Sequence, residues 1–167
     1  MIALAKMGIQ VVGFDASEDL AAACKENLFK AGVMGEISWV KPGKTYESVM
    51  LHDGLVIGRG VYHHIPSRKR RIEFLNSCRK QIKEGAPMFL GDVLIRTSKG
   101  RFAASALPSA IEHGDSVSDC FYHYFTRTEL LLELAQGGYD VEDYRSTPVL
   151  GANSLAHVIC RKKHHKK

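Results

Sequence analysis

A chain of 167 residues with 45% hydrophobic and 25% charged side chains has the make-up of one packed globular domain, which excludes disordered, collagenous and low-complexity classes. No apolar run is long enough to span a bilayer, and the opening residues Met1-Ile2-Ala3-Leu4-Ala5-Lys6 lack the pattern of a secretory signal, so a cytoplasmic address and no membrane partner are expected. Of 23 Lys+Arg against 18 Asp+Glu, five basic residues fall within the last seven positions, so the excess reads as a basic tail at 161–167 after a domain at 1–160, not as a nucleic-acid-binding face.

Taken along the chain, the pattern alternates helices and strands. Residues 1–7 suit a helix, with Gly8 as its stop. Ile9 to Phe14 is a β-rich run ending at Asp15. Ser17 then caps a helix whose first turn holds Glu18 and Asp19, favourable beside the positive end of the helix dipole. Leu20, Cys24, Leu28 and Ala31 recur at helical spacing, and Gly32 closes the segment. Residues 36–40 form a weak strand, and residues 45–51 fit either state. Leu55-Val56-Ile57 has the fully apolar character of a strand buried on both faces.

Ser67 caps a long helix to about Lys83, stopped by Gly85, with Ile72, Leu75, Cys78 and Ile82 as its apolar stripe. A strand over 87–95 follows, Met88-Phe89-Leu90 and then Val93-Leu94-Ile95. Residues 97–119 have no period and read as an irregular insert. Thr126-Arg127-Thr128-Glu129 is a capping box opening a further helix, ended by Gly137-Gly138. Two last strands, 139–144 and 155–160, are separated by too little chain for a crossover and are expected to be antiparallel. The whole predicts an α/β fold: a doubly wound, mostly parallel sheet with an antiparallel C-terminal strand pair.

Chemistry in such a sheet sits beyond the carboxyl ends of the strands. Asp15 ends the first strand, where a carboxylate can accept both protons of a ribose diol or simply turn the chain. Gly58 and Gly60, after the central strand, allow close backbone approach to a ligand. The aromatic run 121–125 either walls a pocket or forms a core strand. Arg68-Lys69-Arg70-Arg71 reads as a solvated helix face. Of the neighbouring His63 and His64, His63 is a candidate general base; the alternative is a loop histidine bonded to backbone. Cys24, Cys78, Cys120 and Cys160 make no C-x-x-C pair, and Cys120-x-x-His123 lacks further ligands at readable spacing, so reduced structural cysteines and no metal are expected.

Val11-Val12-Gly13-Phe14-Asp15-Ala16-Ser17, then the central strand, then Val61-Tyr62-His63-His64-Ile65-Pro66 opening a helix, resembles a class I S-adenosylmethionine-dependent methyltransferase. Phe125 to Leu130 and Gly138-Tyr139-Asp140-Val141 resemble that family's next-to-last helix and strand. The resemblance implies strand order 3-2-1-4-5-7-6, S-adenosylmethionine as cofactor and a small-molecule methyl acceptor. It implies that Asp15 binds the ribose, that Ala16 and Ser17 line the adenine edge, and that Gly58, Arg59, Gly60 and Val61 pass beside the sulfonium. Tyr62 would set its ring near the cation.

Two features depart from the family. The chain begins after the position of the first strand and its glycine-rich loop, an N-terminal truncation that would leave two hydrophobic edges and a route to homo-oligomers. Either the sequence is an N-terminally truncated copy, or the strands at 9–14 and 55–57 pair directly, or another chain fills the gap; the alternative to an active enzyme is a catalytically impaired pseudo-methyltransferase acting as a binding or assembly module. The segment Val40-Lys41-Pro42-Gly43 also offers no acid for adenine.

Overall fold

The computed structural model describes residues 1–40, 51–58, 61–96, 123–148 and 153–164, which fall into two compact units, residues 1–47 and residues 48–167.

The first unit is a β-α-β element behind a short helix. Helix α1 (Ile2–Lys6) leads to strand β1 (Val12–Asp15), helix α2 (Glu18–Lys30) and strand β2 (Glu36–Trp39). β1 and β2 pair in parallel, from Val12 opposite Glu36 to Asp15 opposite Trp39. Ser17 caps α2 as expected, its hydroxyl accepting from the Leu20 amide at 3.3 Å. Gly32, at φ +63°, makes the left-handed exit that a side chain would resist. The expected apolar stripe of α2 is only partly buried: Leu28 is covered, Cys24 and Ala31 are half-buried, and Leu20 is 60% exposed. Two strands present too narrow a surface to cover a 13-residue helix.

The second unit is a mixed four-stranded sheet with two helices. Strand β3 (Leu55–Ile57) runs parallel to β4 (Pro87–Arg96); β6 (Asn153–Lys162) lies antiparallel between β4 and β5 (Tyr139–Pro148). The order β3-β4-β6-β5 corresponds to 4-5-7-6 of the expected sheet, and β1-β2 to its 2-3 pair. β1 and β3 belong to different sheets, so the expectation that they might pair directly is corrected. Helices α3 (Arg68–Lys80) and α4 (Arg127–Gln136) carry the caps read from sequence. Thr126 Oγ1 accepts from the Glu129 amide at 3.1 Å, and the Glu129 carboxylate accepts from the Thr126 amide at 3.4 Å.

This unit has a deeply buried core. Leu75, Ile82, Met88, Leu90, Val93, Leu130, Leu134, Ala156, Val158 and Cys160 have no exposed surface. Alternation in β4 and β6 leaves Phe89 and Ile159 on the opposite, more open side of the sheet. The expected two-sided burial of β3 fails for the same reason: Ile57 is buried, but Val56 is 56% exposed on an edge strand. Strand β6 also extends into the predicted tail. Arg161 pairs with Glu142, and Lys162 is buried with its Nζ donating to the Ile82 carbonyl at 2.8 Å. Among the described residues no helix is long and apolar enough to cross a membrane.

Candidate functional site

In the first unit, the strand-end geometry presents Asp15 to open space. One carboxylate oxygen accepts from the Ser17 amide at 2.9 Å, the turn-forming bond that aspartate makes at such positions. Among the described residues the other oxygen takes no hydrogen bond. The side chain lines a groove of about 540 Å3 with Met1, Ile2, Ala3, Leu20, Ala23, Cys24 and Asn27, a volume within the range of small-molecule sites. Turning the chain and facing a groove are therefore compatible, each using one oxygen. Ala16 gives its carbonyl to the indole N–H of Trp39 at 3.1 Å, and Ser17 spends its hydroxyl on the helix cap. Neither Ala16 nor Ser17 lines the groove that Asp15 faces.

In the second unit, the Val61 amide donates to the Gly58 carbonyl at 3.4 Å, and a Cβ at Gly58 would meet no atom of the described residues, which leaves open space beside its backbone. Arg59 and Gly60 lie outside the described residues, as do Cys120 and the start of the 121–125 aromatic run. Phe125 is a fully buried core residue.

Tyr62 is turned into the core. Its ring stacks on Phe125 with centroids 5.4 Å apart, and its hydroxyl donates to Glu133 at 2.7 Å. Burial and the Glu133 charge hold its phenol well above the ordinary range. The ring is therefore committed to protein, and only the Tyr62 backbone is left to face a ligand. This corrects the cation contact expected of it.

His63 is also buried. Burial, reinforced by the neighbouring His64, pushes its imidazole down to about 4, against a hydrogen bond with the Asp92 backbone that favours the charged form. A general base near neutrality is poised close to the working pH; a buried imidazole at about 4 is a poor match. Its burial in the turn, at 5% exposure, thus speaks against the candidate base role and for a structural one.

One network was beyond sequence reading. Glu133, fully buried, receives Arg71 Nε at 2.9 Å and Nη2 at 2.7 Å in a bidentate pair, and Arg71 Nη1 donates to the Ile65 carbonyl at 3.2 Å. Arg71 also lies 4.9 Å from the Phe125 ring centroid. The basic first turn of α3 is thus partly interior, and the pair fastens the turn at 62–65 to both helices. Cys78 and Cys160 are buried, their thiols pushed up to about 12 by burial, which suits the inert role expected. No group of metal-ligating side chains occurs among the described residues.

No protein-family model and no curated protein sequence matches the chain. Solved structures do. A methyltransferase from Methanosarcina mazei described as S-adenosylmethionine-dependent superposes with TM-score 0.69 at 16% identity, over 97% of this chain and 86% of that one. Magnesium protoporphyrin IX methyltransferase from Synechocystis PCC 6803, solved with bound S-adenosylhomocysteine, gives 0.64 at 13% identity, over 97% and 68%. The [4+2]-cyclase SpnF gives 0.72 at 11% identity, over 97% and 69%, so the fold alone does not dictate the reaction. At these identities the likeness concerns architecture: the chain has the fold of class I S-adenosylmethionine-dependent methyltransferases.

Proposed function

We propose that the chain is a methyl-transfer domain that takes its methyl group from S-adenosylmethionine and passes it to a small-molecule acceptor. The observation that carries this reading is Asp15: the last residue of the first strand, one carboxylate oxygen fixed by Ser17 and the other beside a groove of about 540 Å3. A cis-diol has two hydroxyls to donate, and a carboxylate at this position is the complementary acceptor. Ala16 and Ser17 would border the base, and Gly58, Arg59, Gly60 and Val61 the methionine side. When bound, the cofactor supplies an activated methyl group on a sulfonium, so the chain's residues need only hold, orient and exclude water.

On the same reading, homo-oligomers through unpaired sheet edges are expected. Calorimetric titration with S-adenosylhomocysteine tests the reading. One-to-one binding is expected; no heat and no displacement of a labelled analogue would overturn it.

A further inference from the structure

Strand β4 carries an irregularity beside the end of β3. Leu90 is opposite Ile57, the last residue of β3, and the next two residues, Gly91 and Asp92, leave the ladder. Across on β6 the pairing jumps from Val158 to Ala156, so both face the single residue His157. Asp92 has φ +54°, the left-handed value that L residues seldom adopt and Asp tolerates better than most. A Cβ at Gly91 would fall 2.8 Å from the Phe89 ring, which would have to move to admit a side chain in the bulge. Such strain is worth a functional question when it aims a titratable side chain.

Here it aims a carboxylate at an imidazole. The Asp92 amide, released from the ladder, donates to His157 Nδ1 at 3.5 Å, and that bond leaves the ring proton on Nε2. Nε2 lies 3.8 Å from Asp92 Oδ1, beyond hydrogen-bond reach. The side chains are 22% and 33% exposed, so solvent and solutes can enter. An atom that bridges them must accept from Nε2–H and also donate to Oδ1. A hydroxyl does both; an ammonium has no lone pair and an ether oxygen no proton. The groove beside His157, about 240 Å3, offers Phe89 and Ile159 as apolar walls, with the Phe89 ring parallel to the imidazole within 9°. Asp92 does not itself line this groove, and the charged groups that do, Asp143 and Arg145 on β5, already pair at 2.8 Å.

We infer that Asp92 and His157 form a hydroxyl-binding site in the 48–167 unit, suited to an alcohol or phenol with an apolar body. Identifying that hydroxyl as the methyl acceptor rests on the function proposed above; the binding does not, because Asp15 plays no part in it.

Phenol and its methyl ether, anisole, are the probes, followed by proton–nitrogen correlation of the imidazoles in the whole chain. Phenol shifts the His157 nitrogens saturably and anisole does not. Asp92→Asn weakens phenol binding about tenfold or more, as expected for a lost charge-assisted bond. Should that variant fold poorly, Asp92→Gly keeps the positive φ without the carboxylate and gives the same loss. Equal shifts with anisole, full affinity in Asp92→Gly, or no saturable phenol shift at His157 would each overturn the site. None of these outcomes bears on S-adenosylhomocysteine binding, so the two readings fail separately.

Discussion

The two units divide the labour of the chain. Residues 48–167 bury a cluster that includes Leu75, Leu130, Leu134 and Val158 without residual exposure and lock it with a bidentate Arg71–Glu133 pair. Among the described residues of the 1–47 unit only Ala21 and Leu28 are buried, yet this unit holds the carboxylate with the open groove. Stability resides in one unit and the candidate cofactor contact in the other. A ligand gripping the first unit would therefore stabilise the part with the least packing of its own.

Substitutions that separate these roles sharpen the contrast. The largest effect belongs to Glu133→Ala, which strands a buried guanidinium and the Tyr62 hydroxyl; a loss of about 3–5 kcal/mol is expected in denaturant melts. A loss under 1 kcal/mol would mean that the pair is not holding the turn.

Acid is the next lever. His63 has a folded-state value of about 4 against an ordinary 6.5, so below 6.5 the unfolded chain binds more protons. Its contribution is complete above pH 6.5 and fades as pH falls towards 4, up to about 3 kcal/mol. Melts of the parent chain and His63→Gln across that window should converge at the acid end. Parallel curves would place the imidazole in water.

Smaller effects probe the first unit. Ser17→Ala removes the α2 cap and should cost about 1 kcal/mol, read as faster amide exchange over Glu18–Ala21. Leu20→Ala, at an exposed position, should change global stability by less than about 0.5 kcal/mol. A larger loss would mean that Leu20 is covered in solution.

How much of this was legible in the sequence follows the range of each interaction. Caps at Ser17, Ser67 and Thr126 were readable because their partners lie three residues away. The antiparallel final pair was readable because its connection is short. Arg71 and Glu133 are 62 residues apart, and Asp92 and His157 are 65 apart, so nothing local announces either pair. The orientation of Tyr62 was equally hidden: it sits in a single 3-10 turn, where the facing of successive side chains depends on what packs beneath. Asp15 was legible as a strand-end acid, whereas its groove depends on how α1 and α2 approach.

The most direct test compares S-adenosylhomocysteine binding by the parent chain and by Asp15→Asn, which retains the turn but replaces the charged acceptor. The account predicts at least about tenfold weaker binding in the variant, with its melting temperature little changed. Equal affinity in both proteins would contradict it.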